Sequence, residues 1–74
     1  MNSLPVFLEH LVNETRDYLT DVRKDYIDFK LWFDEDKGCY RSKFSYGRIG
    51  EGSKIESVCL AISNALIAID EGGY

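Results

Sequence analysis

An α+β domain ordered helix, strand, strand, helix is what this sequence predicts. Three observations carry that prediction. Apolar residues recur at steps of four and three from Leu4 to Val22. The period then drops to two from Tyr26 to Tyr46, around a glycine-containing turn. A serine–glutamate pair three residues apart, Ser53 and Glu56, then opens a second apolar run that ends at Gly72-Gly73. Periods of 3.6 and 2 separate a one-faced helix from a half-buried strand.

The first helix carries Leu4, Leu8, Leu11, Thr15, Tyr18 and Val22 as a single stripe, widened by Phe7, Val12 and Leu19. Asn2 or Ser3 is the expected cap, and Pro5 suits a first turn because its missing N–H has no intrahelical acceptor. Arg23 and Lys24 favour the negative end of the helix dipole, and the helix is expected to end near Lys24, where the period changes.

Ile27, Phe29, Leu31 and Phe33 alternate with Asp28, Lys30, Trp32 and Asp34, which predicts a first strand. Glu35 to Gly38 form the turn, with glycine where positive φ is expected. A second strand then carries Tyr40, Phe44 and Tyr46 on one face and Arg41, Lys43 and Ser45 on the other. Pairing Phe33 with Tyr40 sets Leu31 opposite Ser42, Phe29 opposite Phe44 and Ile27 opposite Tyr46. A one-residue slip would turn every ring to the wrong face, so this register is the expected one. Gly47, Gly50 and Gly52 surround Ile49, where a short third strand fits. Both helices are expected on one face of the sheet.

Ser53-Lys54-Ile55-Glu56 has the spacing of a capping box, in which serine accepts from the third helical N–H and glutamate reaches back to the serine N–H. The helix that follows is apolar on most sides. Ile55, Val58, Cys59, Ile62, Leu66 and Ile69 make its expected buried face. Leu60 and Ile67 lie elsewhere, and Ala61, Ala65 and Ala68 are small enough to let another backbone approach. A helix apolar all round is enclosed all round, and 74 residues offer one sheet and one other helix to enclose it.

The chain is expected to form one domain, 1–74, of a size that buries only about 60% of its unfolded surface. Domains this small are commonly stapled by disulfides, metal or a partner chain. Cys39 and Cys59 are isolated, and no signal peptide is visible because Glu9, His10, Glu14 and Arg16 interrupt the first apolar pattern, so a reducing cytoplasmic location is expected. His10 is the one histidine and no cysteine pair has zinc spacing, so no metal or other cofactor is expected. Cys59 reads as a core residue and Cys39 as an exposed one. The run Val58–Ile69 is too short for a membrane span. A partner chain is thereby the favoured staple, and a homodimer is expected through the second helix, at Leu60, Ala61, Asn64, Ile67 and Ala68, or through a sheet edge.

The net charge of −4 is unevenly spread. Residues 26–50 carry four acids and five bases, whereas residues 51–74 carry four acids and one base. The least acidic third therefore holds the aromatic hairpin. On its outer face Trp32 falls opposite Arg41, a cation–π arrangement, and Lys30 opposite Lys43. Tyr26, Lys30, Trp32, Arg41 and Lys43 form the expected partner-binding surface, with the helix acids Glu14, Asp17 and Asp21 as the alternative. Aromatics among cations on an open sheet also suit stacked single-stranded bases, so a small nucleic-acid-binding protein using Lys30, Trp32, Arg41 and Lys43 is the rival reading. Asp34-Glu35-Asp36 lack the alternating ligands of a calcium loop and read as solvated turn acids. Gly47, Gly50 and Gly52 lack the lysine of a phosphate loop. No nucleophile–base–orienter set is present, so catalysis is not expected.

"FKLWFDEDKGCYRSKF" followed by "GEGSKIESVCLAISNALIAI" resembles the HicB-like pattern, through Gly38, Tyr40, Gly52, Ser53, Glu56, Asn64 and Ala65. The resemblance covers about half the chain and implies a hairpin packed under a helix, as in antitoxins and in the related double-stranded-RNA-binding topology. The chain departs from that pattern by opening with a helix, by carrying Ser57 after the glutamate, and by following Ser53-Lys54 with Ile55-Glu56 rather than a lysine-rich helix start. Antitoxin function is therefore not part of the expectation. In style the sequence is similar to small accessory proteins of bacteriophages, many of which block a host enzyme. The expected function is a non-catalytic protein-interaction module, of the kind that inhibits or modulates a host protein complex.

Overall fold

The computed structural model describes residues 4–72. Helix α1 spans Val6–Arg23, strands β1, β2 and β3 span Phe29–Asp34, Cys39–Phe44 and Gly50–Gly52, and helix α2 spans Lys54–Asp70. The fold is α+β, and the third strand expected near Ile49 is present, one residue further along. The strands form one antiparallel sheet in the order β1-β2-β3.

Helix α1 begins at Pro5, whose C=O accepts from the Glu9 N–H at 2.9 Å. The caps expected at Asn2 and Ser3 lie outside the described residues. The helix ends without glycine: Lys24 itself turns left-handed, at φ 58°. Its buried stripe is Leu8, Val12, Thr15 and Leu19. That is a correction of the expected one, since Leu11, Tyr18 and Val22 lie on the exposed side of its edge. Both sets repeat at helical steps, and periodicity alone does not choose between two overlapping stripes.

The hairpin has the expected register, with Phe29 opposite Phe44, Leu31 opposite Ser42 and Phe33 opposite Tyr40. The Phe29 and Phe44 rings pack at 4.8 Å and the Phe33 and Tyr40 rings meet edge-on at 5.1 Å. Gly38 closes the turn at φ 67°, and its N–H donates to the Asp34 C=O. Strand β1 starts at Phe29 rather than Tyr26. Ahead of it Ile27 is buried and its N–H donates to the Thr20 hydroxyl, which ties the link 24–28 back to α1.

The core is one cluster on one side of the sheet, joining Leu8, Val12 and Leu19 of α1 to Phe29 and Phe44, and to Val58 and Ile62 of α2. Both helices thus share that side. Helix α2 packs on β2 and β3. Its start is the expected capping box: Glu56 N–H donates to Ser53 Oγ at 3.1 Å, and Ser53 N–H donates to Glu56 Oε1 at 3.0 Å. At its end Gly72 takes φ 90° and donates to the Ile69 C=O. Gly73 lies outside the described residues.

The buried face of α2 is rotated from the expected one. It consists of Ser57, Val58, Ala61, Ile62, Ala65 and Ala68. A Cβ on Gly50 would lie 2.7 Å from Ala61 N and 2.8 Å from Leu60 Cβ, and would also meet the Ser57 carbonyl oxygen. A Cβ on Gly47 would lie 2.7 Å from Ala65 Cα. Backbone meets helix at van der Waals distance here, so only small residues fit between them. The alanines turn inward for that reason, beside Val58 and Ile62, and Leu60, Leu66 and Ile67 turn out.

Candidate interaction site

The alternation of β1 and β2 sends Lys30, Trp32 and Asp34, and Arg41 and Lys43, to the side away from the helices. The register sets Trp32 opposite Arg41 and Lys30 opposite Lys43. Strand β3 adds Glu51 opposite Arg41. The Arg41 guanidinium consequently lies between two acids, with Nη1 3.3 Å from Asp34 Oδ2 and Nε 2.9 Å from Glu51 Oε2. The Arg41–Glu51 approach is a charge contact without hydrogen-bond alignment, since Arg41 Nε has no aligned acceptor.

Arg41 is thus committed within its own sheet. The expected cation–π pair with Trp32 does not form; among the described residues these contacts are Arg23 over Tyr46, at 4.5 Å, and Lys54 over Tyr40, at 5.1 Å. Asp34 is likewise no free turn acid. Its Oδ1 accepts from the Lys37 N–H while Oδ2 faces Arg41. Glu51 was missed at the sequence level because a three-residue Gly-Glu-Gly strand has no measurable period. Its lone carboxylate between two glycines is the signal that could have found it.

Lys30 and Lys43 line a shallow cleft of about 190 Å³ with Asp28 and Ser45. Among the described residues neither lysine has an ion-pair partner. Asp28 Oδ1 accepts from the Phe29 N–H at 2.9 Å. Tyr26 stands apart from the sheet, exposed in the link after α1. Of the five residues expected to form one patch, the sheet therefore gathers Lys30, Trp32, Arg41 and Lys43 and leaves Tyr26 out.

The helix surface is the second candidate. Leu60 and Ile67, seven residues apart, are 46% and 52% exposed, and Ile55 and Leu66 are exposed as well. Ala61 and Ala68 are the correction: at 1% and 0% exposure they lie inside the chain. The backbone expected to approach the small residues of α2 is this chain's own, at Gly47 and Gly50. Asn64 is half-buried, and its amide donates to the Arg48 and Ile49 carbonyls at 3.3 Å each, pinning the loop before β3. Leu60 and Ile67 remain as surface residues of that set.

Elsewhere the groups with reactive potential are dispersed. His10 Nε2 lies 2.9 Å from Glu14 on the exposed side of α1. Of the other α1 acids, Asp17 is exposed and Asp21 lies 3.7 Å from Lys24. The two cysteines are free, and their placement reverses the expectation: Cys59 is exposed and Cys39 half-buried. Among the described residues no cluster of three or more histidine, cysteine, aspartate or glutamate side chains could hold a metal ion. No helix among them is long and apolar enough to cross a membrane. No protein-family model, curated protein or solved structure matches the chain.

Proposed function

We propose that this chain is a non-catalytic protein-interaction module that works as a homodimer and docks a partner protein on its helix layer. The carrying observation is the apolar surplus of α2, which buries Val58, Ile62 and three alanines and still exposes Ile55, Leu60, Leu66 and Ile67. A self-contained amphipathic helix keeps its open side polar. Large apolar groups on the open side of a small domain mark a surface that another protein shelters. The finer proposal, by analogy with small phage accessory proteins, is that the partner is a bacterial host complex and that docking inhibits it in the host cytoplasm.

The test is a quantitative capture from bacterial lysate with wild type and with Leu60→Glu/Ile67→Glu side by side. The expected result is a stoichiometric partner on wild type, lost on the double variant, at equal melting temperatures. Wild type that retains no stoichiometric protein, or a variant that retains the same one, overturns the docking surface.

The nucleic-acid reading is favoured by one observation, the opposed Lys30 and Lys43 beside Trp32, which have no ion-pair partner among the described residues. Against it stand the neutralised Arg41 and the net charge of −4. Phosphate contacts weaken steeply with salt. Absence of any gel shift at low salt, with single- and double-stranded probes, removes this reading.

A further inference from the structure

We infer that two copies of this chain join through the open edge of β1, strand against strand, with Trp32 on the two-fold axis. The inference rests on the homodimer reading and names its surface.

Strand β1 is an outer strand of the sheet, paired on one side alone. The Ser45 N–H donates to the Asp28 C=O at 2.9 Å, which fixes the phase of the β1–β2 ladder. Even-numbered residues of β1 therefore point their backbone groups at β2, and odd-numbered residues point theirs outward. At Phe29 that outward N–H is already taken by the Asp28 carboxylate. The groups left open are those of Leu31 and Phe33. No proline or bulge blocks them, and such an edge is a template for another strand.

An antiparallel copy can meet these groups in few registers. With Leu31 on the axis, Phe29 would need its occupied N–H, and Asp28 would face Asp34 of the other copy. With Trp32 on the axis, Leu31 and Phe33 exchange hydrogen bonds with Phe33 and Leu31 of the second copy, using only open groups. On the helix side, half-exposed Phe33 then covers Leu31 across the axis. On the outer side, Lys30 faces Asp34 of the second copy, which supplies an acid to a lysine that has no ion-pair partner among the described residues. Trp32 meets its own copy at a non-hydrogen-bonded position, where side chains come closest. Open backbone groups, apolar side chains and charge thus agree on one register, and its product is a continuous six-stranded sheet.

The experiment is light scattering over a concentration series, read with the emission of Trp32, the sole tryptophan. Wild type is expected to pass from one chain to two, with the emission shifting to the blue. Phe33→Pro removes an outward N–H without touching the β1–β2 ladder, and it is expected to stay monomeric with its circular dichroism unchanged. Lys30→Glu sets two like-charge pairs across the axis and is expected to weaken association about tenfold, whether or not the proline variant folds. In a Cys39→Ser/Cys59→Ser background, Trp32→Cys is expected to form a disulfide-linked dimer under mild oxidation, since opposed non-hydrogen-bonded positions stand about 4.5 Å apart at Cα. Cross-linking of Leu31→Cys in place of Trp32→Cys overturns the register. A dimer that survives Lys30→Glu and Phe33→Pro but dissolves in Leu60→Glu/Ile67→Glu overturns the edge and leaves the homodimer reading standing. Wild type that stays monomeric throughout overturns both, and leaves lysate capture as the separate test of partner docking.

Discussion

Ser53 and Glu56 show how much of this chain's local order one pair of residues can set. Each satisfies a backbone N–H that the first turn of α2 leaves open. Ser53→Ala is expected to lower unfolding stability by about 1 kcal/mol, measured by urea denaturation. The same pair gives the fold a defined acid response. The Ser53 backbone N–H, and secondarily its hydroxyl, hold the Glu56 carboxyl below its ordinary range. A depressed folded-state value means that the stabilisation is complete above the unfolded glutamate value of about 4.3. It is lost as pH falls through the lower, folded value. Glu56→Gln should therefore flatten part of the acid limb of a stability–pH curve while leaving its slope near neutrality unchanged. An unaltered acid limb would count against the reach-back contact. Ser42 is a residue of the opposite kind. Its hydroxyl is buried with no hydrogen-bond partner among the described residues, a state that costs about 1–3 kcal/mol. Ser42→Ala is expected to raise the melting temperature, and a fall would mean that the hydroxyl has a partner.

At the scale of elements, the register of the hairpin was legible but not its outer ends, since the ladder stops at Phe29 and Phe44 short of Ile27 and Tyr46, and the helices were legible only in part. In β1 and β2 a period of two leaves a single register that keeps Phe29, Phe44 and Tyr40 together, so the sequence determines it. On a helix, an apolar stripe wider than the contact leaves the rotation open. Leu11 and Tyr18 fit the periodicity of α1 as well as Val12 and Leu19 do, yet Val12 and Leu19 are the buried pair. Leu19→Ala is accordingly expected to cost about 2–5 kcal/mol, well beyond the cost of Tyr18→Ala; equal losses would contradict the observed rotation. For α2 the deciding information lies outside the helix, in Gly47 and Gly50, whose missing side chains let the loop lie against Ala61 and Ala65. Gly50→Ala should force that contact apart, at about 1–3 kcal/mol, read as a lower denaturation midpoint. The pairing of Glu51 with Arg41 was illegible for the same reason, since it depends on a strand that exists only once the loop has docked.

For the whole molecule, the candidate site divides along similar lines. Which residues share the outer sheet face follows from alternation, and Lys30, Trp32, Arg41 and Lys43 were found that way. Which of their charges stay available does not follow from alternation, because it depends on the third strand. The helix layer reads the other way round. Excess apolar surface was legible from composition and length, but its division into buried alanines and exposed Leu60 and Ile67 needed the docked loop. If these two large side chains support nothing within their own subunit, Leu60→Glu/Ile67→Glu should leave the melting temperature within a degree or two, as surface changes usually do. A large drop would instead place them in the core.

The close seat of Gly50 on α2 has one more consequence. Backbone and helix touch there with no side chain between them, so neither can loosen without the other losing its support. In a hydrogen–deuterium exchange experiment, the amides of β3 and of the middle of α2 should open as one cooperative unit. The free edge of β1 should exchange earlier in dilute solution.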